Sequence, residues 1–227
     1  MEEEIKSEGV CIYCEEVHSQ KEIGKHLAKH LLYKQKESVD GKTNKYTHIE
    51  VEVGPYFLQL LVKNSVTLKK IDNFLRDIWL ECCGHMSEFS QKNIDVKMSD
   101  KVGVILTPTT KIQHDYDFGS TTRSYLKANK CYELAEKGDV ILLSRNEPAK
   151  FICSICKAKP AMCICLVCCD ERESLFCEDC ASKHAKECDD FEDYALANIY
   201  NSPRAGECGY EGGRIDLARD GIYAGKI

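Results

Sequence analysis

The regular pairing of cysteines between residues 153 and 188 constrains this chain more than any other feature. Two residues separate Cys153 from Cys156, Cys165 from Cys168 and Cys177 from Cys180; eight separate each pair from the next, and His184 and Cys188 follow. A Cys-x2-Cys turn aims two sulfurs at one point, and a second ligand pair closes a tetrahedron around zinc. Four ligand pairs therefore predict two zinc sites. A segment this short buries too little apolar area to fold alone, whereas a structural zinc supplies about 10–16 kcal/mol of apparent binding energy. Interleaved pairing sets Cys153, Cys156, Cys177 and Cys180 around one ion and Cys165, Cys168, His184 and Cys188 around the other. Sequential pairing is the rival arrangement. Cys180, His184 and Cys188 step in fours, so on a helix they share one face. Cys163 and Cys169 are spare thiols able to replace a neighbour.

A third site is predicted at the other end of the chain. Cys11-x2-Cys14 is followed, after eleven residues, by His26-x3-His30. This is near the two-cysteine, two-histidine finger, whose central gap is about twelve residues. His26 and His30 stand one helical turn apart, as ligands of a shared ion must. Ile23 occupies the place of the finger's core leucine. The core aromatic after the second cysteine is missing, so Val17 or His18 must fill that space, and His18 is also an alternative ligand. Lys21, Lys25 and Lys29 form a stripe on the same helix. It reads as a solvated face, or as a phosphate-contacting edge if nucleic acid is the partner.

Fifteen cysteines would suit a disulfide scaffold in an exported protein. The acidic start, Met1-Glu-Glu-Glu4, lacks the basic and apolar regions of an export signal. No apolar run approaches the roughly 18–20 residues of a membrane span. The expected location is therefore the cytoplasm, where thiols stay reduced and cysteine clusters suit metal. The expected cofactor is zinc, about three ions. At 43% hydrophobic and 30% charged, the chain can build a real core. Its formal charge is −6; a four-cysteine site adds −2, a three-cysteine site −1 and the finger nothing, giving about −9 when filled. That balance disfavours non-specific nucleic-acid binding without excluding a local basic patch.

Four regions follow. Residues 1–36 form the finger, and residues 37–45 are polar and turn-prone. Residues 46–147 read as an α+β domain with a mainly antiparallel sheet and packed helices. Ile49–Val53 alternates like a half-buried strand, and Tyr56–Val62 is a more apolar second strand after Gly54-Pro55. Thr67 is placed to cap a helix whose buried face is Leu68, Ile71, Leu75, Ile78, Trp79 and Cys82, with Gly84 as terminator. Further strands are expected at Val102–Leu106, Ile112–Phe118, Arg123–Tyr132 and Val140–Leu143, with a hairpin turn at residues 119–122. Residues 148–190 are the double zinc module. Residues 191–227 pack on the core through Arg204 and include an acidic helical piece at Asp189–Tyr200; Cys208 reads as a stray thiol.

Candidate chemistry elsewhere is sparse. Cys82-Cys83-Gly84-His85 sets a thiol near an imidazole, a pairing used in nucleophilic catalysis and in metal binding. Burial of Cys82 on the helix face reads first as packing. Asp115 and Asp117 alternate along a strand and so share a face, as paired acid–base groups would. There is no phosphate loop, dinucleotide fingerprint or nucleophile elbow. A catalytic zinc keeps an open position, whereas these sites have four protein ligands each. The leading expectation is a non-enzymatic structural-zinc protein that binds a protein or nucleic-acid partner. The alternative is an enzyme acting on nucleic acid or its components, with a cleft near His85, Asp115 and Asp117.

Two resemblances bear on these expectations. The interleaved cysteine block resembles B-box, MYND and RING modules in ligand spacing. Tyr56–Val62, the run Thr67-Leu-Lys-Lys-Ile-Asp-Asn-Phe-Leu-Arg-Asp-Ile-Trp79, Gly84–Phe89 and Tyr116-Asp117-Phe118-Gly119 resemble motifs of the Ri-plasmid ORF-three-like family, often labelled insertion-element passenger proteins. A branch of that family is similar also in its finger-like start and its Asn-Ser-Pro-Arg…Cys-Gly-Tyr tail. The resemblance implies an α+β fold, a prokaryotic origin and a link to mobile elements, but no reaction. The family motif continues with an acidic residue and a tryptophan where this chain has Ser120 and Thr122.

Overall fold

The computed structural model describes residues 7–38, 41–148, 150–169 and 174–215. The acidic start, two linker residues and the end of the tail therefore lie outside the described residues. The protein is α+β, built on a seven-stranded antiparallel sheet.

A short hairpin, β1 (Glu8–Val10) and β2 (Val17–Ser19), leads into α1 (Gln20–Glu37). The large sheet is made of β3 (Asn44–Val53), β4 (Tyr56–Lys63), β5 (Ser87–Gln91), β6 (Ile94–Val96), β7 (Lys111–Tyr116), β8 (Thr122–Leu134) and β9 (Val140–Arg145). Their spatial order is β6-β5-β7-β8-β3-β4-β9. Gly54, at a φ of 54°, makes the tight β3–β4 turn, and the β7–β8 hairpin turns where expected.

Side-chain alternation sends the two faces of this sheet into two cores. Ile49, Val51, Leu58, Leu60 and Val62 face α2 (Leu68–Leu75), packing with Leu68, Ile71, Leu75, Ile78 and Trp79. Tyr46, Phe57, Leu61, Tyr132 and Leu143 face α1, packing with Ile23, Leu27 and Leu31. Coverage of both faces explains why Tyr56–Val62 reads as more apolar than its neighbour. Gly9 passes so close to β9 that an added Cβ would stand 2.6 Å from the Arg145 carbonyl oxygen.

Several local expectations are corrected. Val102–Ile105 is a helical turn, α3, rather than a strand; its Val102 is buried in the core, and the Asn64 and Val66 carbonyls accept from the Gly103 and Val102 N–H groups. Thr67 stands at the start of α2 but its hydroxyl makes no cap. The carbonyls of Asp100 and Met98 instead accept from the Leu68 and Lys69 N–H groups. The helix does not run to Cys82: a π-helical turn at Arg76–Leu80, closed by Glu81 N–H to Arg76, ends it. Cys82 therefore lies beyond the helix, and Gly84 serves a later turn at a φ of 84°.

The cysteine block folds on a three-stranded sheet, β11-β10-β12. Its elements are β10 (Cys163–Cys165), β11 (Leu175–Phe176), α4 (Glu178–His184) and β12 (Leu196–Asn198). The acidic piece expected to be helical is a π-helical turn at Phe191–Ala195 running into β12. Among the described residues no helix is long and apolar enough to cross a membrane.

Candidate metal centres

Three groups of four residues, each with its donor atoms mutually within 4.8 Å, coincide with the interleaved sequence reading. At Zn–S about 2.3 Å and Zn–N about 2.0 Å, donors around one tetrahedral ion stand roughly 3.3–3.8 Å apart.

In the first group, the turn after Cys11 is closed by Cys11 N–H to Glu16 and Glu15 N–H to Cys11, both 2.9 Å, with Glu15 at a φ of 62°. This turn aims Cys11 and Cys14 at α1. His26 Nε2 lies 3.1 Å from Cys14 Sγ and 3.1 Å from His30 Nε2. Burial, then His18 and His30, hold the His26 imidazole below its ordinary value, which favours the neutral form a metal needs. Ile23 is buried as expected. Val17 is 56% exposed and fills no core; Tyr13, between the two cysteines, packs there instead, its ring 5.4 Å from that of His30. The His18 ring lies 3.9 Å from that of His26 in a tilted arrangement and, with Glu16 and His26, forms an overlapping donor group.

In the second group, β11 delivers Cys177 and the first turn of α4 delivers Cys180, opposite the Cys153–Cys156 turn. Cys156 and Cys177 sulfurs are 3.9 Å apart, near the expected tetrahedral edge. Burial pushes the Cys153 thiol up, but N–H groups of Cys156, Cys177 and Ile155 outweigh it and bring the thiol down to about 6. Cys180 is driven the other way, to about 12, by burial and by the neighbouring Cys177 and Cys153 sulfurs. One thiolate thus opposes the next, and a dication is the charge that lets all four ionise together.

In the third group, β10 and the turn after it supply Cys165 and Cys168, α4 supplies His184, and Cys188 follows. The buried His184 ring stacks on Phe176 at 4.4 Å and meets Phe191 edge-on at 5.0 Å. Cys180 and His184 share a face of α4 yet serve different groups. Among the described residues neither spare thiol joins a donor group: Cys163 is buried against the Phe176 carbonyl and Cys169 donates to the Leu166 carbonyl.

The structure also joins residues that spacing does not connect. Cys82, Cys83, His85 and Cys208 form a fourth donor group, so Cys208 is not a stray thiol. The recognisable signal was two adjacent cysteines and a histidine within four residues; the last donor lies over a hundred residues away.

The residues of the enzymatic alternative do not meet as one set. β7 ends at Tyr116 and Asp117 takes a φ of 63°, so the alternation stops before it. Asp115 is held by Arg123 at 3.0 and 3.1 Å, whereas Asp117 pairs with Arg204 and lies 3.5 Å from His85 Nδ1. Lys21, Lys25 and Lys29 are all exposed. Lys21 and Lys25 line a cleft of about 570 Å³ between α1 and the sheet, together with Lys127, Lys130, Glu50 and Glu52.

No protein-family profile and no curated protein matches the chain. Among solved structures, a protein of unknown function from Methanosarcina mazei Go1 aligns with 48% of this chain and 72% of its own, at 13% identity and a TM-score of 0.39.

Proposed function

We propose that the protein is a non-enzymatic structural-zinc protein whose metal-held modules present binding surfaces to a protein or nucleic-acid partner. The observation that carries this reading is that each predicted quartet supplies four protein donors to one point, leaving no position for a substrate. The donor chemistry fits zinc: sulfur and imidazole only, at distances near tetrahedral edges. The resemblance to insertion-element passenger proteins adds a link to mobile elements. Site-specific metal analysis tests the metal part. Cys14→Ser, Cys177→Ser and Cys188→Ser should each lower bound zinc by about one ion; an unchanged count in any variant removes that site.

A second, more specific reading is nucleic-acid binding through Lys21, Lys25 and Lys29. It is favoured by the presence of Lys127 and Lys130 in the same cleft as Lys21 and Lys25. A duplex-DNA mobility shift should weaken with salt and disappear when the three α1 lysines are changed together. Absence of any shift at low salt leaves a protein partner.

A further inference from the structure

We infer that Cys82, Cys83, His85 and Cys208 form a fourth metal site, of three-cysteine, one-histidine type, that clamps the tail onto the end of the π-helical turn. Cys83 Sγ lies 3.9 Å from Cys82 Sγ, 3.5 Å from Cys208 Sγ and 3.0 Å from His85 Nε2; His85 Nε2 lies 3.2 Å from Cys208 Sγ. These separations bracket the roughly 3.3–3.8 Å edges of a tetrahedral sulfur–nitrogen site.

Local backbone builds the convergence. After Leu80 the chain leaves the helix, and Gly84 at a φ of 84° reverses it so that His85 returns to the two cysteines. From the tail, Gly206, Cys208 and Gly209 all take positive φ, at 82°, 48° and 64°. Such a run brings the Cys208 sulfur to Cys83 and His85. The segment leading into Cys208 is tied down: Glu207 accepts from Ser120 at 2.7 Å, and the Arg204 guanidinium donates to the Ser120 carbonyl at 2.5 Å.

The surroundings carry the independent argument. A metal-bound histidine normally directs its other ring nitrogen at a carboxylate, which fixes its tautomer and orientation. His85 presents Nε2 to the sulfurs, while its Nδ1 lies 3.5 Å from Asp117 Oδ1. Asp117 is itself fixed by Arg204 and by the Gly119 N–H at 2.9 Å. The fully buried Arg204 also donates to Cys82 Sγ at 3.7 Å, and the Tyr116 hydroxyl lies 3.7 Å from the same sulfur. Three thiolates and a dication sum to −1, and Arg204 is the buried cation placed beside that charge. Each ligating thiol releases its proton to solvent on binding, and no redox step is involved.

The site does not depend on the three quartets above, and its test separates the two. Full-length protein purified under reducing conditions is analysed for zinc, and after cadmium substitution by cadmium-113 NMR. Four ions per chain and four cadmium resonances are expected, two of them of three-sulfur type. Cys208→Ser and the double variant Cys83→Ser/Cys208→Ser should each lose one resonance and leave the other three. Hydrogen exchange should rise in residues 204–210 while the cysteine block keeps its protection. An unchanged metal count in the double variant overturns the proposal, as do a Cys83–Cys208 disulfide in the reduced preparation or equal alkylation rates of these thiols in native and denatured protein. Loss of metal only in Cys14→Ser, Cys177→Ser or Cys188→Ser bears on the earlier reading instead.

Discussion

Asp72 shows how a single side chain ties α2 to β5 and β7. It is fully buried and accepts from Lys69 at 2.7 Å, Arg76 at 3.0 Å and Ser87 at 2.5 Å, with His114 Nε2 at 2.9 Å. Burial pushes its carboxyl up, but bonds from His114, Lys69 and Ser87 outweigh this and hold it well below the usual carboxylate range. Breaking such a buried set costs about 3–5 kcal/mol, so Asp72→Asn should lose that much in denaturant unfolding at neutral pH. Because the folded carboxyl titrates lower than the unfolded one, the difference from wild type should be constant above pH about 5. It should shrink as pH falls below about 4. His48 gives a second pH window. Its burial lowers the imidazole to about 4, against a Gln59 carbonyl at 2.7 Å. The unfolded chain takes up that proton first, near pH 6.5. Stability is thus full above about 6.5 and declines towards pH 4, by up to about 3 kcal/mol, and His48→Gln should flatten that slope.

At the level of elements, α1 is both finger helix and lid of the sheet. Its Ile23, Leu27 and Leu31 are fully buried against Tyr46, Phe57 and Leu61, while His26 and His30 project towards Cys11 and Cys14. Leu27→Ala should therefore destabilise the sheet as well as the finger, by about 2–5 kcal/mol. Unfolding of the variant's sheet at the wild-type denaturant midpoint would show instead that the N-terminal unit is independent of the sheet. The double module behaves differently. Apart from thiols, its buried core is little more than Phe176, Ala181, Phe191 and Ala195. Cys163 sits among these as packing, so Cys163→Ser should leave the zinc count unchanged, whereas Cys177→Ser should lower it. Loss of one ion on replacing Cys163 would show that this thiol ligates.

Across the whole molecule the two kinds of core predict two responses to metal removal. The sheet has large apolar clusters on both faces, whereas the module, on the proposed reading, draws its stability from bound ions. A chelator should abolish hydrogen-exchange protection in residues 153–198 while β3, β4 and β8 keep theirs; simultaneous loss would show that the module is needed by the sheet. The tail joins these parts. Asn201 accepts from Asn146 at 2.6 Å and donates to its carbonyl at 2.9 Å, Ser202 donates to the Trp79 carbonyl at 2.7 Å, and Arg204 reaches Asp117. The Asn-Ser-Pro-Arg run and the Tyr-Asp-Phe-Gly run, separate in sequence, are thus two sides of one buried contact.

Local spacing by itself marked the ligand pairs, whereas the choice of interleaved over sequential pairing came only with the tertiary structure, which brings Cys153 and Cys156 to Cys177 and Cys180. Two-residue gaps and a helical turn fix the direction of neighbouring side chains before any tertiary contact forms. Alternation and apolar runs likewise placed β3, β4, β7, β8 and β9, because such patterns are local to each strand, but not the short β5 and β6. What only the tertiary structure decided depends on partners distant in sequence. Val102–Ile105 has an apolar composition that suits a strand or a helix, and its docking beside Asn64 selects the helix. The extra apolar residues of β4 acquire meaning only when α1 covers the second face. Cys82, Cys83 and His85 become a donor set only when the tail, anchored by Arg204, delivers Cys208 across more than a hundred residues. No local periodicity encodes that closure; the buried ion pair and the run of positive φ angles produce it.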